Sequence, residues 1–280
     1  MTRIVVTRKD YGAEQVAAAR SVLLEIMLVL GEYRNALVLV GGWTPVFLIP
    51  NPSQPHVGST DVDVAVDPRR VTEAGYETIL GRLVQRGYEQ DHQSPAVFRK
   101  RIGNVTIQVD LMSGEYAGTG RGHRHQEIPG TLLRKARGCD IASIDPQHVT
   151  LEGELPEGGR DTISIRVASI GAFLCMKGHA LDGRLKEKDA WDIYFCLREY
   201  PGGIDAVVDR LKPVIHHGLV REALEKIGEH FATPDHRGPK HVADFENIRD
   251  TEERARVQRD AYERVRALLE GLGMKLEATT

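Results

Sequence analysis

In Asp61-Val62-Asp63-Val64 two carboxylates stand two residues apart in an alternating stretch, and Asp110 closes a second such stretch, Val-Thr-Ile-Gln-Val-Asp-Leu-Met. Strand residues i and i+2 share a face, so Asp61 and Asp63 point one way while Val62 and Val64 point the other. Three carboxylates on neighbouring strands form an all-oxygen ligand set, which suits Mg²⁺, with Mn²⁺ as the alternative ion. Upstream, Gly41-Gly42 permits a tight turn and close backbone approach, and at the head of an expected helix its amides could face phosphate. A metal site beside a phosphate-binding turn suits nucleotidyl transfer. Asp61 and Asp63 would anchor two ions, and Asp110 would bind one of them and position or deprotonate an acceptor hydroxyl as pyrophosphate leaves. Ser59 and Thr60 could orient phosphate or simply close the preceding loop. Asp67, followed by Pro68, is better explained as a strand-ending turn than as a ligand.

A second cluster runs Lys-Gly-His-Ala-Leu-Asp-Gly-Arg-Leu-Lys-Glu-Lys-Asp-Ala-Trp-Asp-Ile-Tyr-Phe from Lys177 to Phe195. Lys177 is a candidate phosphate contact within one helix, and Arg184 follows the Asp182-Gly183 turn. In the next helix Lys188 and Asp192 lie one turn apart, while Trp191 and Phe195 form a separate apolar i,i+4 pair suited to packing. Asp192 would orient Lys177 or a substrate, or else join two helices by a salt bridge, with Asp189 behind it.

Apolar periodicity places these residues on elements. It predicts a helix over 15–30, a short strand over 36–40, a helix over 43–49, a Pro-rich loop over 51–55 and a strand over 61–66. A helix over 71–87 and a hairpin of 96–101 with 105–111 follow, turning at Gly103-Asn104. Residues 114–130 read as a polar loop. Arg121, Arg124, Arg134, Lys135 and Arg137, in or just after it, could steer a nucleic-acid backbone. His123 and His125 read as phosphate contacts or surface residues, since no Cys/His set matches zinc spacing. From 167 onward helices dominate, over 167–181, 187–198, 204–211, 219–231 and 251–269, with 234–239 as a connector and the alternating charges of 252–266 as a solvated face. The expected class is α/β (α+β), with a small mixed sheet in residues 1–165 and a helical domain in 166–280.

The chain has 280 residues, with 37 Lys plus Arg against 40 Asp plus Glu, so no global basic field wraps nucleic acid and any such contact must be local. Cys139, Cys175 and Cys196 have no short metal-binding spacing, and the last two sit in apolar helical patterns, which implies buried free thiols rather than a disulfide framework. No apolar run has the length of a signal peptide or membrane span, so the expectation is a cytoplasmic protein with no membrane partner.

Gly41-Gly42, Ser59-Thr60-Asp61-Val62-Asp63 and the later Lys177, Arg184, Lys188, Asp189 and Asp192 together resemble the nucleotidyltransferase superfamily related to DNA polymerase beta, and more closely the AbiEii-type nucleotidyltransferase toxin family. The resemblance brackets roughly residues 36–196. It implies a polymerase-beta-like core, Asp61 and Asp63 as metal ligands, Lys177 and Asp192 as further active-site residues, NTP as substrate, and a helical C-terminal unit completing the substrate cleft. It also implies transfer of nucleotides to the tRNA acceptor end and a cognate antitoxin partner. Asp110 resembles the third carboxylate of the wider superfamily. The interval between Gly42 and Asp61 is longer than in compact members. The alternatives are a small-molecule (aminoglycoside-like) or protein nucleotidyltransferase, and a noncatalytic nucleotide-binding interaction protein. Against the last stands the cost of burying a pair of like charges without metal or compensating donors.

Overall fold

The Ala- and Leu-rich stretch Ala13–Val29 forms helix α1 in the computed structural model, which describes residues 6–67, 69–71, 73–115, 125–128, 131–184 and 186–274. The chain divides into two units, one made of Tyr11–Phe47 and Gly58–Ser169, the other of Met1–Asp10, Leu48–Val57 and Ile170–Thr280.

In the first unit β1 (Leu37–Val40) enters a 3₁₀ turn at Gly41–Trp43, followed by α2 (Thr44–Leu48) and β2 (Asp61–Val66). Then come α3 (Glu73–Gln85), β3 (Glu89–Gln90), β4 (Val97–Ile102) and β5 (Val105–Ser113). Four strands follow: β6 (His125–Ile128), β7 (Thr131–Lys135), β8 (Gln147–Glu154) and β9 (Arg160–Val167). They form one mixed sheet in the order β3-β4-β5-β2-β1-β9-β8, with β7 pairing both β5 and β6. Strand β2 runs antiparallel to β1 and parallel to β5.

This nine-stranded sheet is larger than the small one expected from sequence. The polar stretch 114–130, expected as loop, contains β6, and Arg134 and Lys135 lie on β7. The hairpin β8–β9 was not anticipated either, because the inward face of β8 carries only Val149 and Leu151 as large apolar residues, a weak alternation for a strand. The core lies on the sheet face carrying Val62, Val64, Ile107, Val109 and Leu111, each at most 1 % exposed. Helix α1 covers that face, as the bond from Lys100 of β4 to Glu25 of α1 shows. Burial of each such aliphatic side chain stabilises the fold by roughly 1.5–3 kcal/mol.

The second unit contains α4 (Ile170–Gly183), α5 (Glu187–Glu199), α6 (Gly203–Leu211), α7 (Gly218–His230), α8 (Arg237–Phe245) and α9 (Thr251–Gly271). Helix α4 starts at Ile170 rather than at 167 because Val167 still belongs to β9. It meets α7 so closely at Gly178 that a Cβ there would stand 2.4 Å from the Ala223 carbonyl oxygen. The connector expected over 234–239 already contains the start of α8. Pro239 is tolerated there because amides of the first turn have no intrahelical acceptor. Helix α9 buries Ala261, Val265, Leu268 and Leu269 and leaves its charges mostly in water, with Asp250 capping it through the Glu253 amide at 2.8 Å. Cys139, Cys175 and Cys196 are buried free thiols. Among the described residues no helix is long and apolar enough to cross a membrane.

Candidate active site

Strand register places the acidic residues. Asp63 of β2 is paired with Asp110 of the parallel strand β5, and Asp61 with Gln108. Registered neighbours on adjacent strands point to the same side, so Asp61, Asp63, Gln108 and Asp110 share the sheet face opposite the α1-covered core. The turn after β1 is fitted to this face. Gly41 has φ +70°, and a Cβ on it would lie 2.0 Å from Asp63 Oδ2, so a side chain at that position would exclude the carboxylate. Helix α2 has only five residues, which leaves it little macrodipole; phosphate at this turn would rely on the amides of Gly41–Trp43.

Asp61 is held on both ends. Its carbonyl accepts from Trp43 Nε1 at 2.9 Å, and its Oδ1 accepts from the buried Ser59 hydroxyl at 2.5 Å. Ser59 therefore aims its hydroxyl at a carboxylate, and Thr60 lies between them in the chain. Asp110 Oδ2 accepts from Gln108 Nε2 at 3.0 Å and faces Arg134 Nη1 at 3.4 Å. Among the described residues no three His, Cys, Asp or Glu side chains converge as a group that could hold a metal ion. The structure fixes the shared face and the oxygen-only chemistry of these donors without bringing the three carboxylates together as one group. Asp67 sits at the far end of β2, bonded by Arg69 Nε at 2.9 Å. Burial would raise its carboxyl pKa, but Arg69 and Arg70 hold it below the usual range.

The helical unit holds the second cluster. Lys177 Nζ lies 2.7 Å from Asp189 Oδ1 and 2.6 Å from Asp192 Oδ2, joining α4 to α5. Lys188 Nζ donates to both oxygens of Asp192, at 2.9 and 3.0 Å. Arg184 grips Asp189 with Nε at 2.8 Å and Nη2 at 3.0 Å while its side chain stays 47 % exposed. The Asp192 side chain is fully buried. Burial alone would lower the Lys177 ammonium, yet Asp189 and Asp192 outweigh it and hold the group charged. Lys188 goes the other way, lowered by its burial with Lys177 adding repulsion. Burial would raise Asp192, but the two lysines pull it well below the carboxylate range. Trp191 and Phe195 pack with ring centroids 5.3 Å apart, the apolar role expected of them.

Two further participants, His56 and Gln108, were not singled out in the sequence, and Arg134, expected as a nucleic-acid contact, lies at Asp110. His56, in the Pro-rich segment read as loop, puts Nε2 2.9 Å from Asp192 Oδ1. Gln108 and Arg134 contact Asp110. His56 carried no sequence signal, since its partner lies 136 residues away; Gln108 was legible in principle as the i−2 neighbour of Asp110 on its strand face. Arg121, His123 and Arg124 lie outside the described residues, and His125 is placed only as part of β6.

No family model and no curated protein matches the sequence. Similar solved structures include a candidate nucleotidyltransferase from H. pylori, 15% identical, with a TM-score of 0.44 over 94% of this chain and 97% of that one. JHP933 from Helicobacter pylori is 15% identical, with a TM-score of 0.39 over 91% of this chain and 93% of its own. The antibiotic-resistance factor ANT(2'')-Ia is 14% identical, with a TM-score of 0.29 over 91% and 96%. At scores this low the similarities carry no functional weight, and the assignment rests on the site.

Proposed function

We propose that the protein is a divalent-metal-dependent nucleotidyltransferase that moves NMP from NTP to a hydroxyl acceptor with release of pyrophosphate. The observation that carries this reading is the placement of Asp63 beside Asp110 on parallel strands, with Asp61 on the same face and Gly41 cut back to admit the Asp63 carboxylate. Asp61, Asp63 and Asp110 are the residues that would hold Mg²⁺. Bound there, the ion would lower the pKa of the acceptor hydroxyl and offset charge on the triphosphate.

The chain's own groups supply the rest. Asp110, paired with Asp63, would take the acceptor's proton, and Arg134 at 3.4 Å offsets its charge. Ser59 and Trp43 hold Asp61 in place by side chain and backbone. In the helical unit, Lys177 enters the proposal as positive charge that an anion would have to draw from Asp189 and Asp192, and Arg184 as the exposed cation of the same cluster. Asp192 orients Lys177. Within this activity we assign the protein to the AbiEii-like group, with the tRNA 3' end as acceptor and an antitoxin as partner; the motif resemblance supports that finer reading.

The test is incubation of wild type and Asp61→Ala with Mg²⁺, each α-labelled NTP and total tRNA, resolving labelled RNA, labelled protein and free nucleotide. RNA labelled by wild type alone is the expected result, with at least about a hundredfold loss in the variant. Folded, nucleotide-binding protein that releases no pyrophosphate with any acceptor would sink the assignment.

A further inference from the structure

The segment Leu48–Val57 belongs with the helical unit, and four of its residues are tied there in succession. Ser53 donates through its amide and its hydroxyl to Glu199, both at 2.6 Å. Gln54 Oε1 accepts from Arg198 Nη2 at 3.1 Å, and the Pro55 carbonyl accepts from Arg8 Nη2 at 2.7 Å. His56 completes the series at Asp192.

His56 is unlike its three neighbours. Its side chain is 2 % exposed, and its ring lies 4.9 Å from the Trp191 ring and 4.8 Å from the Phe195 ring. An ionised carboxylate only accepts, so the Asp192 contact requires the proton on Nε2. Burial, reinforced by Lys188, lowers the imidazole pKa to about 4, so the ring is neutral at pH 7. A neutral donor satisfies Asp192 without adding another cation beside the buried Lys177 and Lys188.

We propose that His56 is a positioning residue, which by donating Nε2–H to Asp192 fixes both the two-lysine cluster and the tied segment 53–56 within the helical unit. The inference rests on the nucleotidyltransferase reading for its effect on turnover and on the geometry alone for its effect on order. Loss of the bond frees the end of the tied segment and the Asp192 carboxylate that holds Lys177 and Lys188. An active-site group displaced by about 1 Å costs on the order of a hundredfold in rate.

The experiment compares wild type, His56→Leu, which keeps bulk but removes the donor, and His56→Gln, which keeps a neutral N–H. Hydrogen exchange by mass spectrometry is followed over residues 50–61, and pyrophosphate release is resolved into kcat and KM for NTP. For His56→Leu the expected result is faster exchange over 53–60 and kcat reduced about tenfold or more, with KM changed by less than about threefold. His56→Gln should recover most of both. Wild-type exchange in His56→Leu, an unchanged kcat, or a His56→Gln that behaves like His56→Leu would each overturn the proposal. If His56→Leu does not fold, His56→Asn, whose amide is too short to span to Asp192, takes its place. Wild type that releases no pyrophosphate would sink the assigned activity instead, and the exchange arm would then decide the role of His56 by itself.

Discussion

Each unit holds a buried ionic network, and the two are built differently. Beneath the sheet, Lys100 Nζ meets Glu25 at 2.6 and 2.8 Å, and Tyr88 donates its hydroxyl to the same carboxylate at 2.6 Å. One ammonium faces one carboxylate, and the phenol stays neutral because burial and then Glu25 raise its pKa. In the helical unit three cations share two carboxylates. The balanced network has nothing left to offer a ligand, and its chemistry is spent on joining α1 to β4. The other joins α4 to α5 through Lys177 and reaches solvent at Arg184.

The contrast predicts different responses to damage. The largest effect should be Lys100→Met, which leaves Glu25 buried and uncompensated and should cost about 3–5 kcal/mol in denaturant unfolding, with the specific activity of the folded fraction unchanged. Adding Glu25→Leu should recover most of that loss; a double variant no more stable than the single one would mean the network is not merely structural. Next in size is a pH effect confined to the helical network. The unfolded chain protonates His56 near pH 6.5 and the folded chain near pH 4, so the unfolded state binds more protons between these values and stability falls as pH drops through the window. Wild type should lose about 3 kcal/mol more than His56→Leu between pH 7 and pH 4. Asp189 and Asp192, both lowered in the fold despite burial, add losses of the same sign only below their unfolded values.

Smaller still, Arg184→Ala should leave stability within about 0.5 kcal/mol yet raise KM for NTP about tenfold, as read from pyrophosphate release. An unchanged KM would return Arg184 to the role of a surface partner for Asp189. Ser53→Ala removes only the hydroxyl bond to Glu199 while the amide bond persists, and should cost about 0.5–1.5 kcal/mol in thermal unfolding.

Local pattern reached far into the sheet unit. The alternation of Asp61–Val66 predicted β2 to the residue, and the Gly103-Asn104 turn predicted the β4–β5 hairpin within two residues of its observed ends. Periodicity found α5 and α9 in the same way. It failed at β8, whose inward face carries few large apolar residues, and it read Pro52 and Pro55 correctly as loop without saying what holds the loop. Of the candidate residues, the sequence singled out Asp61, Asp63, Asp110, Lys177 and Asp192 by type and spacing. It could not show that Lys177 shares its ammonium between two carboxylates, or that Asp110 is shared with Arg134.

The sequence by itself determined the facing of Asp61 with Asp63, because strand geometry gives side chains a period of two, and the one-turn spacing of Lys188 and Asp192, because helix geometry brings i and i+4 together. Tertiary structure alone decided that Asp63 lies beside Asp110, that Glu25 meets Lys100, and that His56 reaches Asp192. These partners are separated by 47, 75 and 136 residues respectively. No local periodicity spans such distances; strand register and the packing of one element on another set them, and the burial that packing imposes is what shifts the protons.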